Sequence, residues 1–414
     1  MRISTVTMFE QSVSSMNRQQ GDFMKVGQQI ATGRRVVNPS DDPQAASRAV
    51  GVSQSQAVTQ QHMDARVSAR NALSQSESVL NSVSDAIASG KTLLVQAASD
   101  TLSDADRQSV ASELRGIYET LIGQANATDG NGRYLFGGYK DDSPPFIRNG
   151  DGNIEYIGDE NIRAQRIDAS RLMPVADNGA KIFQSVAIGA GYLAEAGQFD
   201  VDGNRTGGNA GSVTFKGPQV TDPADPDFGE TYTLTFDEDG DGNPTFEVTA
   251  SDGSVAADGA YAPGQPIAFG GLSLTLEGTP EAGDTLRIGQ AEEMNTDLFR
   301  SFEKALAVLE NPATTPAGKA ELRNSLNTVM REFDNGLDNV LTVRASVGAR
   351  LNELDVVDAV GGNRMMNYEQ TLSDLVDLDY AEAISEYSLR QVGLQAAQKA
   401  FVDIKGLSLF DYLR

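Results

Sequence analysis

The sequence predicts a mainly α fold with a β insert: a long antiparallel helical bundle built from both chain ends, with an antiparallel β outer domain. Residues 1–130 and 292–414 are rich in Ala, Gln, Ser, Leu and Asn and poor in Pro, whereas residues 185–290 are dense in Gly, Asp, Pro and Thr. Apolar residues recur at helical spacing in the outer stretches and with period two in the central one. The expected boundaries are 1–42 with 366–414 as terminal helices forming an inner coiled-coil core, 43–184 with 291–365 as a helical-bundle domain with a small β element, and 185–290 as the outer β domain.

Alternating steps of four and three residues select Leu322, Leu326, Val329, Phe333, Gly336, Val340, Val343, Val347, Arg350, Leu354 and Val357 in the second half. Nearly all are apolar, and a stripe sustained over so many turns predicts a long helix with a coiled-coil-like seam. The same stepping picks Ala69, Leu73, Ser76, Leu80, Val83, Ile87, Gly90, Leu94 and Ala97 in the first half. Two shorter stripes, Val110-Leu114-Ile117-Leu121 and Leu298-Phe302-Ala305-Leu309, read as helices folded back on these rods to close a four-helix bundle. Ser103 to Asp106 reads as a capping box, and Asn295-Thr296-Asp297 as an N-cap with an acid in the first turn.

In the centre, Tyr232–Phe236 and Thr245–Thr249 alternate around an Asp/Gly turn and predict a hairpin. Leu272–Leu276 and Thr285–Ile288 read as a second pair, and a smaller β element is expected over Tyr134 to Ile167.

The chain ends carry stripes of their own. Phe9, Val13, Met16, Phe23 and Ile30 share one helical face, and so do Tyr380, Ile384, Tyr387, Leu394 and Phe401. An isolated helix of this size is marginal in water, so each end needs a partner helix, either the other terminus or a neighbouring subunit. Phe9, Val13, Met16, Phe23, Ile30, Ile384, Tyr387, Leu394 and Phe401 are therefore the expected assembly contacts.

Composition closes off most chemistry. With 58 acidic against 33 basic residues the net charge is −25, which repels phosphate backbones and anionic lipid surfaces, so neither nucleic acid nor a membrane is an expected partner. There is no Cys, no Trp and a single His, His62, which removes thiolate nucleophiles, Cys/His zinc sites and any serine triad. His62 lies in a polar run and reads as a solvated surface side chain. No stretch approaches the ~20 apolar residues of a membrane span, and the N-terminus has no apolar signal core.

Two acidic motifs remain. Asp237 to Gly242 has the alternating carboxylates of a calcium loop, but the bidentate Glu that should close it is replaced by Val248 and strands flank it, so a solvated hairpin turn is the expectation. Asn38-Pro39-Ser40-Asp41-Asp42-Pro43 sets two carboxylates side by side, yet Asp42 before Pro43 reads as an N-cap and the pair as structural. Arg34 and Arg35 follow Gly33 where cations complement a helix C-terminus, and Gly132 to Gly138 reads as a packed aromatic turn. No catalytic residue, metal or cofactor is expected. A glycan-acting enzyme or adhesin in the β insert would need a paired carboxylate site or an aromatic sugar platform, and neither is present.

Three segments carry a resemblance: Ile30-Ala31-Thr32-Gly33-Arg34-Arg35-Val36-Val37-Asn38-Pro39-Ser40-Asp41-Asp42-Pro43; Gly132-Arg133-Tyr134-Leu135-Phe136-Gly137-Gly138-Tyr139 running on to Phe146; and the tail from Leu394-Gln395-Ala396-Ala397 to Phe410-Asp411-Tyr412-Leu413. Through them, residues 1–180 and 290–414 resemble the flagellin superfamily, and within it the hook-associated proteins of the hook-filament junction. The resemblance implies a flagellin-like architecture and a non-enzymatic, self-assembling subunit of the bacterial flagellum. It also implies extracellular localisation by flagellar type III export, with the N-terminus read as an uncleaved signal and an export chaperone masking the C-terminal helix. The implied partners are further copies of itself in a ring, the other hook-filament junction protein on the hook side and flagellin on the filament side; a flagellin filament subunit is the alternative within the superfamily.

Overall fold

The structure is a computed structural model that describes residues 5–99, 101–200 and 205–410. In chain order it begins with α1 (Thr5–Thr32), α2 (Pro43–Ala97) and α3 (Asp104–Ala125). Two small hairpins follow, β1 (Phe146–Arg148) with β2 (Ile154–Tyr156) and β3 (Ala164–Asp168) with β4 (Arg171–Pro174), then the short α4 (Gly179–Phe183). The central strands are β5 (Tyr192–Ala196), β6 (Gln198–Phe199), β7 (Arg205–Gly207), β8 (Thr214–Val220), β9 (Tyr232–Glu238), β10 (Pro244–Ala250), β11 (Val255–Ala260), β12 (Pro266–Phe269), β13 (Leu272–Glu277) and β14 (Thr285–Gln290). The chain returns to helix in α5 (Ala291–Met294), α6 (Leu298–Glu310), α7 (Pro316–Val376) and α8 (Tyr380–Phe410). Contacts divide it into a terminal unit, Met1–Arg66 with Asp355–Arg414, and a central unit, Val67–Leu354.

The central unit is built on the apolar stripes. From Leu73 to Leu94 on α2 and from Leu326 to Leu354 on α7 the stripe positions are almost all buried, as are Leu298, Phe302, Ala305 and Leu309 on α6. Gly90 is a stripe position because two rings press on it: a Cβ there would stand 3.0 Å from the Phe333 ring and 3.3 Å from that of Phe302. Cross-helix ion pairs, Lys91 with Asp334 and Arg344 with Glu77, flank the seam. On α3 the seam takes Tyr118 where Ile117 is expected, and Ile117 is only half-buried. Tyr118 wins because its ring stacks on Phe302 at 5.7 Å while its hydroxyl donates to Glu303 at 2.5 Å.

Helix starts follow the caps. Ser103 and Asp106 form the reciprocal box: Ser103 Oγ accepts from the Asp106 amide and the Asp106 carboxylate accepts from the Ser103 amide, each at 3.2 Å. At α6 the cap is Asp297 itself, accepting from Phe299 N at 2.8 Å and Arg300 N at 3.3 Å. Burial nonetheless pushes the Asp297 carboxyl above its usual range.

The Gly132 to Gly138 segment is a packed aromatic turn. Leu135 and Phe136 are buried, and Phe136 meets Phe183 edge-on at 5.9 Å, with Phe146 and Phe299 completing the cluster. Gly138 adopts φ +66 and lies so close to the Asp159 carbonyl that a Cβ would overlap it.

In the β insert, a five-stranded sheet ordered β11-β10-β9-β14-β5 faces a three-stranded sheet ordered β12-β13-β8. The β9–β10 hairpin pairs as expected, Phe246 against Phe236 and Val248 against Leu234. The expected pairing of Leu272–Leu276 with Thr285–Ile288 is not observed. β13 pairs with β12 and β8, whereas β14 pairs with β9 and β5. The connection crosses between sheets and is pinned by the buried Asp284, whose carboxylate accepts from the amides of Ala210, Gly211 and Glu281 at 2.8, 3.0 and 3.0 Å. Leu272, Leu274, Leu276, Leu286 and Ile288 thus share one core from opposite sheets.

A second, polar face of α7 holds the insert. Asn324 accepts from Phe215 N at 3.1 Å and donates to Val213 O at 2.8 Å, and Asn327 donates to Phe215 O at 3.2 Å. Thr328 donates to Ala194 O at 2.6 Å and Arg331 to Pro218 O at 3.1 Å. These side chains satisfy edge groups of β8 and β5 that no strand pairs, so the helix closes one edge of each sheet. Lys304 of α6 reaches Glu195 of β5 and Glu332 of α7, both at 3.0 Å. Replacing Asn324 by Leu leaves two buried backbone groups without partners; at about 1–3 kcal/mol for each, stability in denaturant titration should fall by about 2 kcal/mol or more.

Candidate functional site

With no catalytic constellation expected, the candidate site is the terminal unit, where α1 and α8 lie antiparallel. Phe9 meets Phe401 at 5.2 Å between ring centroids, and Phe23 meets Tyr387 at 4.6 Å. Gly27 lies beside the second pair, where a Cβ would meet the Tyr387 ring in ordinary contact at 3.6 Å. Arg390 donates to Asp22 at 3.0 Å and also to Glu386, tying the two helices at the surface. Among the described side chains of α1 and α8, Val26 and Ala383 are the fully buried apolar ones.

The expected contact residues divide accordingly. Phe9, Phe23, Tyr387 and Phe401 face one another within the chain, and Val13, Met16, Ile30 and Leu394 are half-buried. Ile384 is exposed. Met24, Leu389, Val392 and Val402 lie off the two stripes and are exposed on other faces of the pair. The signal for the three on α8 was that this helix is apolar on more than one face, which a single four-and-three register does not reveal. The end of the tail motif, Asp411-Tyr412-Leu413, lies outside the described residues.

The corner between α1 and α2 is a compact polar knot against the α7–α8 junction. Gly33 turns the chain at φ +70, and a Cβ there would stand 2.9 Å from the Tyr380 hydroxyl. Arg35 N donates to Val376 O at 2.7 Å and Leu378 N to Gly33 O at 3.1 Å, while Arg34 and Asp377 form an isolated β-bridge. The Arg35 guanidinium does complement a helix C-terminus, but the helix is α7: it donates to Leu375 O at 2.7 Å. Asp42 caps α2 by accepting from Ala45 N at 3.0 Å. Asp41 accepts from Asn38 N at 2.9 Å and pairs with Lys25 at 3.1 Å.

Elsewhere the chemistry is that of turns. Asp239 accepts from Asp241 N at 2.9 Å and from Asn243 N at 2.8 Å, so the expected calcium-like segment uses its carboxylate to close its own hairpin. Among the described residues no group of three or more His, Asp or Glu is placed to hold a metal ion, and no helix is long and apolar enough to cross a membrane. His62 is half-buried on α2.

Residues 3–141 match the family model described as the bacterial flagellin N-terminal helical region. Flagellar hook-associated protein 3 of Escherichia coli (strain K12) is 34% identical over 411 residues, 99% of this chain and 99% of that protein. The chain belongs to the flagellar hook-associated protein 3 family. The namesake protein of Salmonella typhimurium (strain LT2) is 33% identical over 415 residues, 100% of each chain. The crystal structure of the flagellar junction protein FlgL from Legionella pneumophila superposes with a TM-score of 0.68 at 25% identity, covering 80% of this chain and 100% of that one. FlgL from Xanthomonas campestris gives 0.67 at 28%, covering 78% and 99%. As a member of this family the chain is a structural component of the flagellum and not an enzyme.

The corner carboxylates give the terminal unit a pH dependence. The Asn38 amide, followed by Lys25, holds Asp41 below its ordinary value of 3.8, and the Ala45 amide, followed by Arg35, does the same for Asp42. A carboxyl whose pKa falls on folding stabilises the folded state above its unfolded value and loses that contribution as pH drops through the folded one. The Asp41→Asn/Asp42→Asn variant should therefore melt below the parent at pH 6, and the two midpoints should converge once the pH is well below 3.8.

Proposed function

We propose that the chain is a subunit of the ring joining hook to filament, exported through the flagellar type III apparatus and locked into place by packing of α1 and α8 against neighbouring copies. One observation carries the proposal: among the described side chains of the α1–α8 pair, large apolar residues stand exposed while Val26 and Ala383 are the buried apolar ones. Met24 is 57% exposed, Leu389 70% and Val392 63%, with Ile384 and Val402 similarly open. Burying a Leu, Val or Met side chain fully is worth about 1.5–3 kcal/mol, so covering this face in an assembly supplies a driving force that the isolated pair lacks. Val13, Met16, Ile30 and Leu394 are themselves only half-buried within the pair.

In this reading the ring has the other hook-filament junction protein on one side and flagellin on the other, as membership of a hook-associated family supports. Before export, a chaperone covers the open face of α8, which would otherwise associate in the cytoplasm.

Leu394→Asp should give a folded, soluble monomer that no longer joins the flagellum. Leu389→Asp sharpens the test, because Leu389 is solvent-facing in the monomer. The folding stability should stay within the ~0.5 kcal/mol typical of surface substitutions, while incorporation, measured by immunoblot of sheared flagella, is lost. Incorporation at the parental level would refute the interface.

A further inference from the structure

In the terminal unit, α2 up to Arg66 and α7 from Asp355 onward have no fully buried large apolar side chain. Val50, Val58, Val356 and Val360 are exposed, and Val52, Met63, Val357, Met365 and Leu372 are only half-buried. Arg66 breaks this pattern. It is 1% exposed, and its Nε donates to Asp358. Its guanidinium lies against Gly361, where a Cβ would overlap it. A mid-helix glycine is disfavoured, and here it serves as the seat for the guanidinium.

We infer that Arg66, Asp358 and Gly361 are the register key of this helix pair. A slip of one turn, about 5.4 Å, would carry Arg66 from Gly361 to Val357 or Met365, where a side chain occupies the place of the seat. A guanidinium buried without its seat and its carboxylate is strongly unfavourable, so one alignment is selected. That alignment matters at the far end of the pair. The Arg35 N to Val376 O bond at 2.7 Å, the Leu378 N to Gly33 O bond at 3.1 Å and the Arg35 guanidinium on Leu375 O all require the start of α2 to stand level with the end of α7. The key therefore positions the corner from which α1 and α8 depart. Its contribution is to alignment, because apolar replacements of buried ion pairs are commonly as stable as the pair itself.

The chain has no Cys, so a cysteine pair can report the alignment. Arg34 and Asp377 are antiparallel bridge partners, a geometry within disulfide reach. In an Arg34→Cys/Asp377→Cys background, the parent is compared with Arg66→Leu/Asp358→Leu and, separately, with Gly361→Ala. The rate of disulfide formation per folded molecule should fall at least about tenfold in both, while the reduced double-Leu variant melts no lower than the parent. A rate within about twofold of the parent in either variant overturns the inference, whatever the midpoint.

Discussion

The constraint on which this molecule depends is the uneven supply of buried apolar surface along its two longest helices. Between Leu326 and Leu354, α7 presents Leu, Val and Phe to a continuous core, and α2 answers with Leu73, Leu80, Val83, Ile87 and Leu94. Beyond Asp355 the large apolar side chains are at most half-buried, and the same helix exposes Val356, Val360 and Met366. The central unit is thus complete as a folded body, while the terminal unit is held by a few rings, a buried charge and a polar corner. The terminal unit is therefore the part of the chain that is least satisfied alone.

Helical order was largely legible because long stripes average out local ambiguity. The positions from Leu73 to Leu94 and from Leu326 to Leu354 required only counting, and the Ser103 box announced the start of α3. What was not legible depended on tertiary choice. Whether Leu272–Leu276 lies beside Thr285–Ile288 or across the core from it cannot be read from period two, which is the same in either arrangement. The buried Asp284 decides it, and an Asp in a Gly-rich loop looks like any other turn residue. Tyr118 displaces Ile117 for a similar reason: its hydroxyl has a partner in Glu303 that is distant in sequence.

The terminal site was half legible. The stripe that pairs α1 with α8 was visible, but the outward residues Met24, Leu389, Val392 and Val402 break its period. Arg35 was assigned to the right kind of place, a helix C-terminus, yet to the wrong helix, because chain proximity favours α1 and only the fold brings Leu375 near. Arg66 gave no signal at all, being one cation in a polar helix until Gly361 is known to face it.

The amide ladder on α7 bears on how such chains diversify. Asn324, Asn327, Thr328 and Arg331 act as a docking standard: they bind the main chain of the insert and ignore its side chains. Side chains of the insert can therefore drift without disturbing these four anchors, whereas Glu195 and Arg205 are tied by charge to Lys304 and Glu321 of the helices.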